Sequence, residues 1–308
     1  MDNLEFKELI LSKAHQLGFD LAGICCPEYS PTDHSKLLNW LEAGYQGEMA
    51  FMERNPRLRS DLRLFMENVQ SVISVGINYF KEPDYQKDKP YVSIYARGKP
   101  YQDVVKNKLQ ELLDYIKRLT PEAEGKIAVD TSPTLDKLWA EKAGLGWRGK
   151  NTLVINKKIG SFIFLGELFL NIKIEPDVAE SDHCADCRKC LDICPTGALE
   201  EPHLLNSTKC ISYMTIEANN PPADQKLIDN HIFGCDLCQI ICPYNKNAST
   251  TTIPEFQPGD IYSMEIDKWI NLTENDFQSR YMGTILGKYG FSRCTNNVKM
   301  AMNNLAID

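Results

Sequence analysis

The sequence predicts an α+β protein: an N-terminal α/β domain over residues 1–173, a small cysteine-rich domain over 174–249, and a short helical tail over 250–308. Three observations carry this prediction. Helical and strand patterns mix up to residue 173, the composition then shifts to Cys, Pro, Asp and Asn, and eight of the eleven cysteines fall between Cys184 and Cys242.

Leu4, Leu9, Ile10, Ala14 and Leu17 share one helical face, and Gly18 stands where a C-cap glycine belongs, so residues 4–17 read as the first helix. Residues 35–43 suggest a second. SVISVGINY (71–79) is rich in β-branched residues and predicts a strand, Tyr101 to Leu119 has helical periodicity ended by Pro121, and IAVD (127–130) is a short strand. Leu135 to Ala143 predicts a helix that runs into GLGWRGKNT, after which TLVIN, SFIFL and ELFLNI are three candidate strands joined by short turns. From Ile174 apolar runs are few, so the core of the second domain must be partly inorganic.

With 308 residues and 43% hydrophobic content, the chain can bury most of its surface without disulfides. It contains no run of eighteen apolar residues, and its amphipathic N-terminus carries acidic residues, so a cytoplasmic protein that does not enter the membrane is expected. A formal charge of −8 argues against nucleic-acid binding through a diffuse basic field, although local basic patches can coexist with it.

Cys184, Cys187, Cys190 and Cys194, followed by Pro195, form the C-x-x-C-x-x-C-x-x-x-C-P run of two-cluster bacterial ferredoxins. Cys210, Cys235, Cys238 and Cys242 before Pro243 repeat its closing half, with the first cysteine displaced upstream. Three closely spaced thiolates wrap one 4Fe-4S cube while the fourth reaches the neighbouring cube. One cluster is therefore assigned to Cys184, Cys187, Cys190 and Cys242, the other to Cys194, Cys210, Cys235 and Cys238. Structural zinc gives no reason for a third cysteine at this spacing. Cys25, Cys26 and Cys294 have no partner spacing and read as small apolar residues, and the five histidines form no ligand pair.

Gly144 to Lys150 matches the first seven positions of a P-loop, but Asn151 stands where a hydroxyl should hold magnesium, and a helix precedes the segment where a strand is required. Nucleotide hydrolysis is not expected. A close approach of this glycine-rich turn to another cofactor is.

GYQGEMAFMERN (44–55), YARGKPY (95–101), VDTSPTLDKLWAEKAGLGWRGKNTLVIN (129–156), DHCADCRKCLDICPTGAL (182–199), and KCISYMTIEANN with FGCDLCQIICPYN (209–220, 233–245) together resemble the epoxyqueuosine reductase family. The resemblance implies a cytoplasmic enzyme whose N-terminal domain is nitroreductase-like and binds cobalamin, followed by a ferredoxin-like two-cluster domain. It implies reduction of epoxyqueuosine to queuosine at the wobble position of tRNA. The electrons would come from an external low-potential donor such as a flavodoxin or ferredoxin and pass through the clusters to cobalamin. Carried over position by position, Asp130 matches the family's proton donor. Arg59, Arg97, Asn151, Thr152, Val154, Ser212 and Asp236 fall in stretches that line the cobalamin.

Two departures stand out. Lys99, Pro100, Tyr101 and Gln102 replace the family's common acidic and histidine pair, and the chain resembles the short form that lacks a C-terminal helical-repeat domain. Read without the resemblance, an aspartate between a short strand and a helix is placed equally well for catalysis and for capping that helix. Two other functions fit parts of the sequence: a corrinoid-dependent reductase or dehalogenase of a small molecule, and a ferredoxin-type electron carrier.

Overall fold

A computed structural model describes residues 2–257, 259 and 264–305. Helix α1 (Asn3–Gln16) begins where the Asp2 carboxylate accepts from the Glu5 N–H, and the chain leaves it through Gly18 at φ +88°. Strand β1 (Leu21–Cys25) follows; its mixed composition gave no strand signal. Helix α2 (Pro31–Glu42) starts upstream of the expected residue 35, because Ser30 caps it and Pro31 fits its first turn. After α3 (Pro56–Ser60) comes the wholly buried β2 (Ser71–Asn78), then β3 (Tyr91–Val92), α4 (Tyr101–Leu119), β4 (Gly125–Ala128) and α5 (Asp136–Lys142). A hairpin of β5 (Trp147–Arg148) and β6 (Val154–Ile155) leads to β7 (Ile163–Leu170).

Strands β1, β2, β7 and β4 form one sheet in that order, and every pair is antiparallel. The protein is thus α+β, and the expectation of an α/β first half is corrected: no parallel crossover builds this sheet. Ile73, Val75 and Ile77 pack under α1 and α4, while Val72 and Phe169 face α5 through Leu138 and Trp139. The two expected strands SFIFL and ELFLNI are one, and Gly166 between them is no turn. A Cβ there would lie 2.5 Å from Val105 Cγ1, so the glycine lets α4 settle onto the sheet.

In the cysteine-rich segment, α6 (Lys189–Asp192) and α8 (Leu237–Ile240) hold equivalent places in the two cysteine runs and pack together. Between them lie β8 (Leu199–Glu201), β9 (Leu204–Leu205), α7 (Ile211–Ile216) and β10 (His231–Phe233). Strand β10 pairs in parallel with β3, and Val92 and Ala96 share an apolar cluster with Ile232, Phe233, Trp269 and Tyr281. Apolar packing therefore crosses both expected boundaries.

Of the tail expected over 250–308, residues 258, 260–263 and 306–308 lie outside the described residues. The described part holds α9 (Ile266–Ile270), α10 (Glu274–Tyr281), α11 (Ile285–Tyr289) and α12 (Phe291–Leu305). Buried Asn297 of α12 donates to Thr215 O and Ile232 O, which ties the tail to the cysteine-rich segment. Among the described residues no helix is long and apolar enough to cross a membrane.

Candidate cofactor and active site

The eight cysteines ring two cavities, and each cavity draws on both sequence runs. Cys184, Cys187, Cys190 and Cys242 line one of about 200 Å³; Cys194, Cys210, Cys235 and Cys238 line another of about 230 Å³. Among the described residues no three His, Cys, Asp or Glu side chains converge closely enough to hold a single metal ion. Burial pushes the Cys190 thiol up to about 11, with Cys184 and Cys242 adding to the effect, so a bound metal is what would keep such groups as thiolates. The donor set and the volumes fit two multinuclear clusters.

The glycine-rich segment contributes what its spacing did not disclose. Trp147 donates its indole N–H to Cys184 Sγ at 3.4 Å and packs edge-on against His183 and Tyr244. Hydrogen bonds to a ligand sulfur raise a cluster's potential by stabilising added negative charge. His183 itself turns to Glu180 Oε1 at 2.7 Å. Asn151 lines both cysteine cavities and donates to Cys238 O, which places it between them.

Thr152, at φ +67°, Leu153 and Ser212 line the second cavity. The Val154 side chain instead packs in the core beside Trp139 and Leu145. Val154 opens strand β6 and its side chain goes inward, whereas Leu153 lies in the bend before the strand.

Asp236 lines the same cavity and is buried, accepting from Tyr91 Oη at 2.8 Å, Ser93 Oγ at 2.6 Å and Ile94 N at 2.8 Å. Its carboxylate thereby fastens the Cys235–Cys238 turn to the segment around β3. Asp236→Ala leaves three buried donors without their acceptor and is expected to cost on the order of 3 kcal/mol. A lowered thermal midpoint, together with reduced iron content, would show it.

A third cavity, of about 390 Å³, lies beyond the end of β4 and is lined by Met52, Tyr101, Asp130, Lys137 and Arg148, with Phe164 on its floor. Val129 is buried in the core and anchors the strand end, after which Asp130 turns at φ +54° and presents an exposed carboxylate. It does not cap α5, whose N-cap is Leu135 with no side-chain hydrogen bond. Tyr101 stacks on Phe164 at 4.0 Å and 2°, which seats the first turn of α4 here, and Gln102 Nε2 donates to Asp130 Oδ2 at 2.8 Å. Lys137 lines both this cavity and the second cysteine cavity, so the two adjoin.

Asp136 accepts from Thr134 Oγ1, and burial holds its carboxyl up at about 6, with Asp130 adding. Arg59 is buried, donates to Phe51 O at 2.6 Å, and feels the Asp136 charge, which puts it behind this wall. Arg97 is elsewhere. It is 3% exposed and bonds Asp84 at 2.7 Å and Val92 O at 2.7 Å, so the expectation that it lines the cofactor site is not what this geometry provides. A rigid double hydrogen bond explains why an arginine stands there. Lys137 and Trp147 were not anticipated, because only the tertiary fold brings them to these cavities.

Two cysteine-lined cluster sites beside an acid-bearing cavity define an iron–sulfur oxidoreductase. The family model for the 4Fe-4S double cluster binding domain matches residues 183–245, and that for epoxyqueuosine reductase QueG matches residues 59–131. An epoxyqueuosine reductase of Leadbetterella byssophila is 38% identical over 275 residues, covering 89% of this chain and 90% of the relative. The chain belongs to the epoxyqueuosine reductase family. Among solved structures, an epoxyqueuosine reductase with an epoxyqueuosine-modified tRNA-Tyr stem loop aligns at TM-score 0.88 and 29% identity, over 99% of this chain and 82% of that one. The Bacillus subtilis enzyme, with its catalytic aspartate loop swung out of the active site, aligns at TM-score 0.88 and 28% identity, over the same shares.

Proposed function

We propose that this chain reduces epoxyqueuosine to queuosine at the wobble position of tRNA in the cytoplasm, with Asp130 as the proton donor. The observation that carries this reading is the junction at Lys137, where the Asp130 cavity meets a cavity lined by four cysteines. In this reading residues 1–173 are a nitroreductase-like catalytic unit, 174–249 a ferredoxin-like electron-transfer unit, and 250–308 a tail packed on both. Cys184, Cys187, Cys190 and Cys242 hold one cluster; Cys194, Cys210, Cys235 and Cys238 hold the other.

The residues of the Asp130 cavity also suit cobalamin. Thr134, Asp136, Lys137 and Arg148 line it and offer polar groups to the rim of such a ring, with Phe164 and Leu165 offering apolar surface to its face. Thr152, Ser212 and Asn151 would border it on the cluster side. When bound, the clusters and cobalamin supply two electrons from an external low-potential donor such as a flavodoxin or ferredoxin. The protein's own share is positional and acidic. The cavity excludes water around the epoxide, Asp130 gives its proton to the oxygen as the carbon–oxygen bonds break, a second proton enters from solvent, and a carbon–carbon double bond and water result.

Flanking nucleotides have a place as well. A groove of about 640 Å³ between α12 and residues 218–221 carries Arg293, Lys299 and several asparagines, no acidic side chain, and Tyr289, whose phenol senses Asp130. In a chain of net charge −8, that is a local cationic surface beside the site. Replacing Arg293 and Lys299 together by Glu is expected to weaken tRNA binding and to flatten the slope of log affinity against log salt by about 1 to 2.

The direct test is anaerobic incubation of the reconstituted protein with reductant and tRNA carrying epoxyqueuosine, followed by nucleoside analysis. Conversion to queuosine is expected. No conversion would overturn the reading, and failure even to bind cobalamin would leave an electron carrier.

A further inference from the structure

Asp130 has an uncharged companion that suits both of its protonation states. A proton donor exists in two forms during turnover: a carboxylic acid before transfer and a carboxylate after it. The carboxylate accepts at both oxygens, whereas the acid must keep its one O–H for the substrate and accepts at its other oxygen. Histidine, lysine and arginine answer this asymmetry by titrating or by serving only one form. A primary amide carries a donor and an acceptor on the same short stem and does not titrate.

Gln102 has this geometry. Its Nε2 donates to Asp130 Oδ2 at 2.8 Å, while its Oε1 is buried without a hydrogen-bond partner among the described residues. A buried, unused carbonyl is costly and rare enough to need an explanation. With Nε2 on Oδ2 and Oε1 turned away from the carboxyl, the acid's single proton is left on Oδ1 and the amide oxygen does not compete for it. The first turn of α4 that carries Gln102 is held by the Tyr101–Phe164 stack, which fixes the base of the amide.

We propose that Gln102 is a positioning residue for Asp130, donating from Nε2 to Oδ2 of the carboxylate and of the carboxylic acid alike, so that the transferable proton stays on Oδ1 and the acid keeps its aim across the proton transfer. The proposal rests on the assignment of Asp130 as proton donor. It accounts for two features at once, the short bond to Asp130 and the idle oxygen beside it. It also gives a physical sense to the Lys99-Pro100-Tyr101-Gln102 departure, which sets an amide beside Asp130, with the Tyr101 phenol and the Asp103 carboxyl as the titrating groups of that first turn.

Other ionisable groups face Asp130 from every side. Tyr101 comes from α4, Asp136 and Lys137 from α5, Arg148 from β5, Glu217 from the end of α7 and Tyr289 from α11. Glu217 is half-buried, accepts from Tyr289 Oη at 3.5 Å, and is raised first by burial, with Asp130 contributing. These groups are unaltered in the Gln102 variants, so a change in the Asp130 titration reports the amide.

The test compares Gln102→Ala and Gln102→Glu with the unaltered holoenzyme. Carboxyl infrared bands are followed against pH, with the Asp130 band identified by its loss in Asp130→Asn, and kcat and KM for epoxyqueuosine tRNA are measured across the same range. Gln102→Glu sets a second carboxyl against Asp130; the pair should share a proton, and the Asp130 band should titrate at least about one pH unit higher. Gln102→Ala should lower kcat about tenfold or more with KM for tRNA unchanged, as expected when orientation at the reacting atom is lost. An Asp130 band that titrates identically in all three proteins would overturn the proposal, as would full kcat in Gln102→Ala. The infrared titration needs no turnover. Failure of tRNA conversion in the unaltered protein would therefore count against the activity, and the infrared result would still decide the role of Gln102.

Discussion

Asp130→Asn is expected to lower queuosine formation about 10²- to 10⁴-fold, the range in which a positioned acid contributes, while iron content and cobalamin binding stay unchanged. Asparagine is the informative replacement. At φ +54° the residue sits in the left-handed region, which Asp and Asn enter far more readily than alanine. The variant thus keeps the turn after Val129 and the hydrogen bond to Gln102 while it loses the proton. Asp130→Ala adds a backbone cost and mixes two effects. Nucleoside analysis after a fixed anaerobic incubation gives the rate, and turnover equal to the unaltered enzyme would remove Asp130 from the chemistry.

The second large effect concerns how the cysteines are shared. Cys242 belongs by sequence to the later run, yet it lines the cavity of Cys184, Cys187 and Cys190. Cys242→Ala and Cys184→Ala should each abolish turnover and each remove about half of the bound iron. Decisive information comes from the double variant. With crossed ligands both substitutions strike the same cluster, so the doubly substituted protein keeps about as much iron as either single one. If each run closed its own cluster, the two losses would add and little iron would remain. Iron analysis with electron paramagnetic resonance of the reduced protein separates these outcomes.

The grouping of the eight cysteines around two cavities was readable because cluster chemistry favours short, regular spacings that survive any fold. The helices α1 and α4 were readable for a similar reason: a glycine exit in one and a long apolar period in the other. Strand β1 gave no signal, and Gly166 suggested a break where the chain runs straight, because its purpose lies in a helix some sixty residues away. Glu167 is the sharpest case. An acid in ELFL reads as a surface residue, yet it is fully buried beside Ser74, and burial raises it well above the carboxylate range. Val154 and Arg97 were expected at the cofactor because their segments border it; which way a side chain points is set by the core it packs into and, for Arg97, by Asp84, 13 residues upstream. Gln102, Lys137 and Trp147 gain their meaning from neighbours 28 to 37 residues off or more, which no local pattern encodes.

The parallel pairing of β3 with β10, and the Asp236 carboxylate that seals it, also bear on how the chain comes off the ribosome. Tyr91 and Asp236 are 145 residues apart. At about 5 to 20 residues per second, the edge at Tyr91–Val92 waits roughly 7 to 30 seconds for its mate. During that interval Tyr91, Ser93 and the Ile94 amide have no acceptor, and the apolar surface of Val92 and Ala96 is uncovered. The seam can therefore close only once the Cys235–Cys238 turn has been made, so the N-terminal half completes its fold together with the second cysteine cavity.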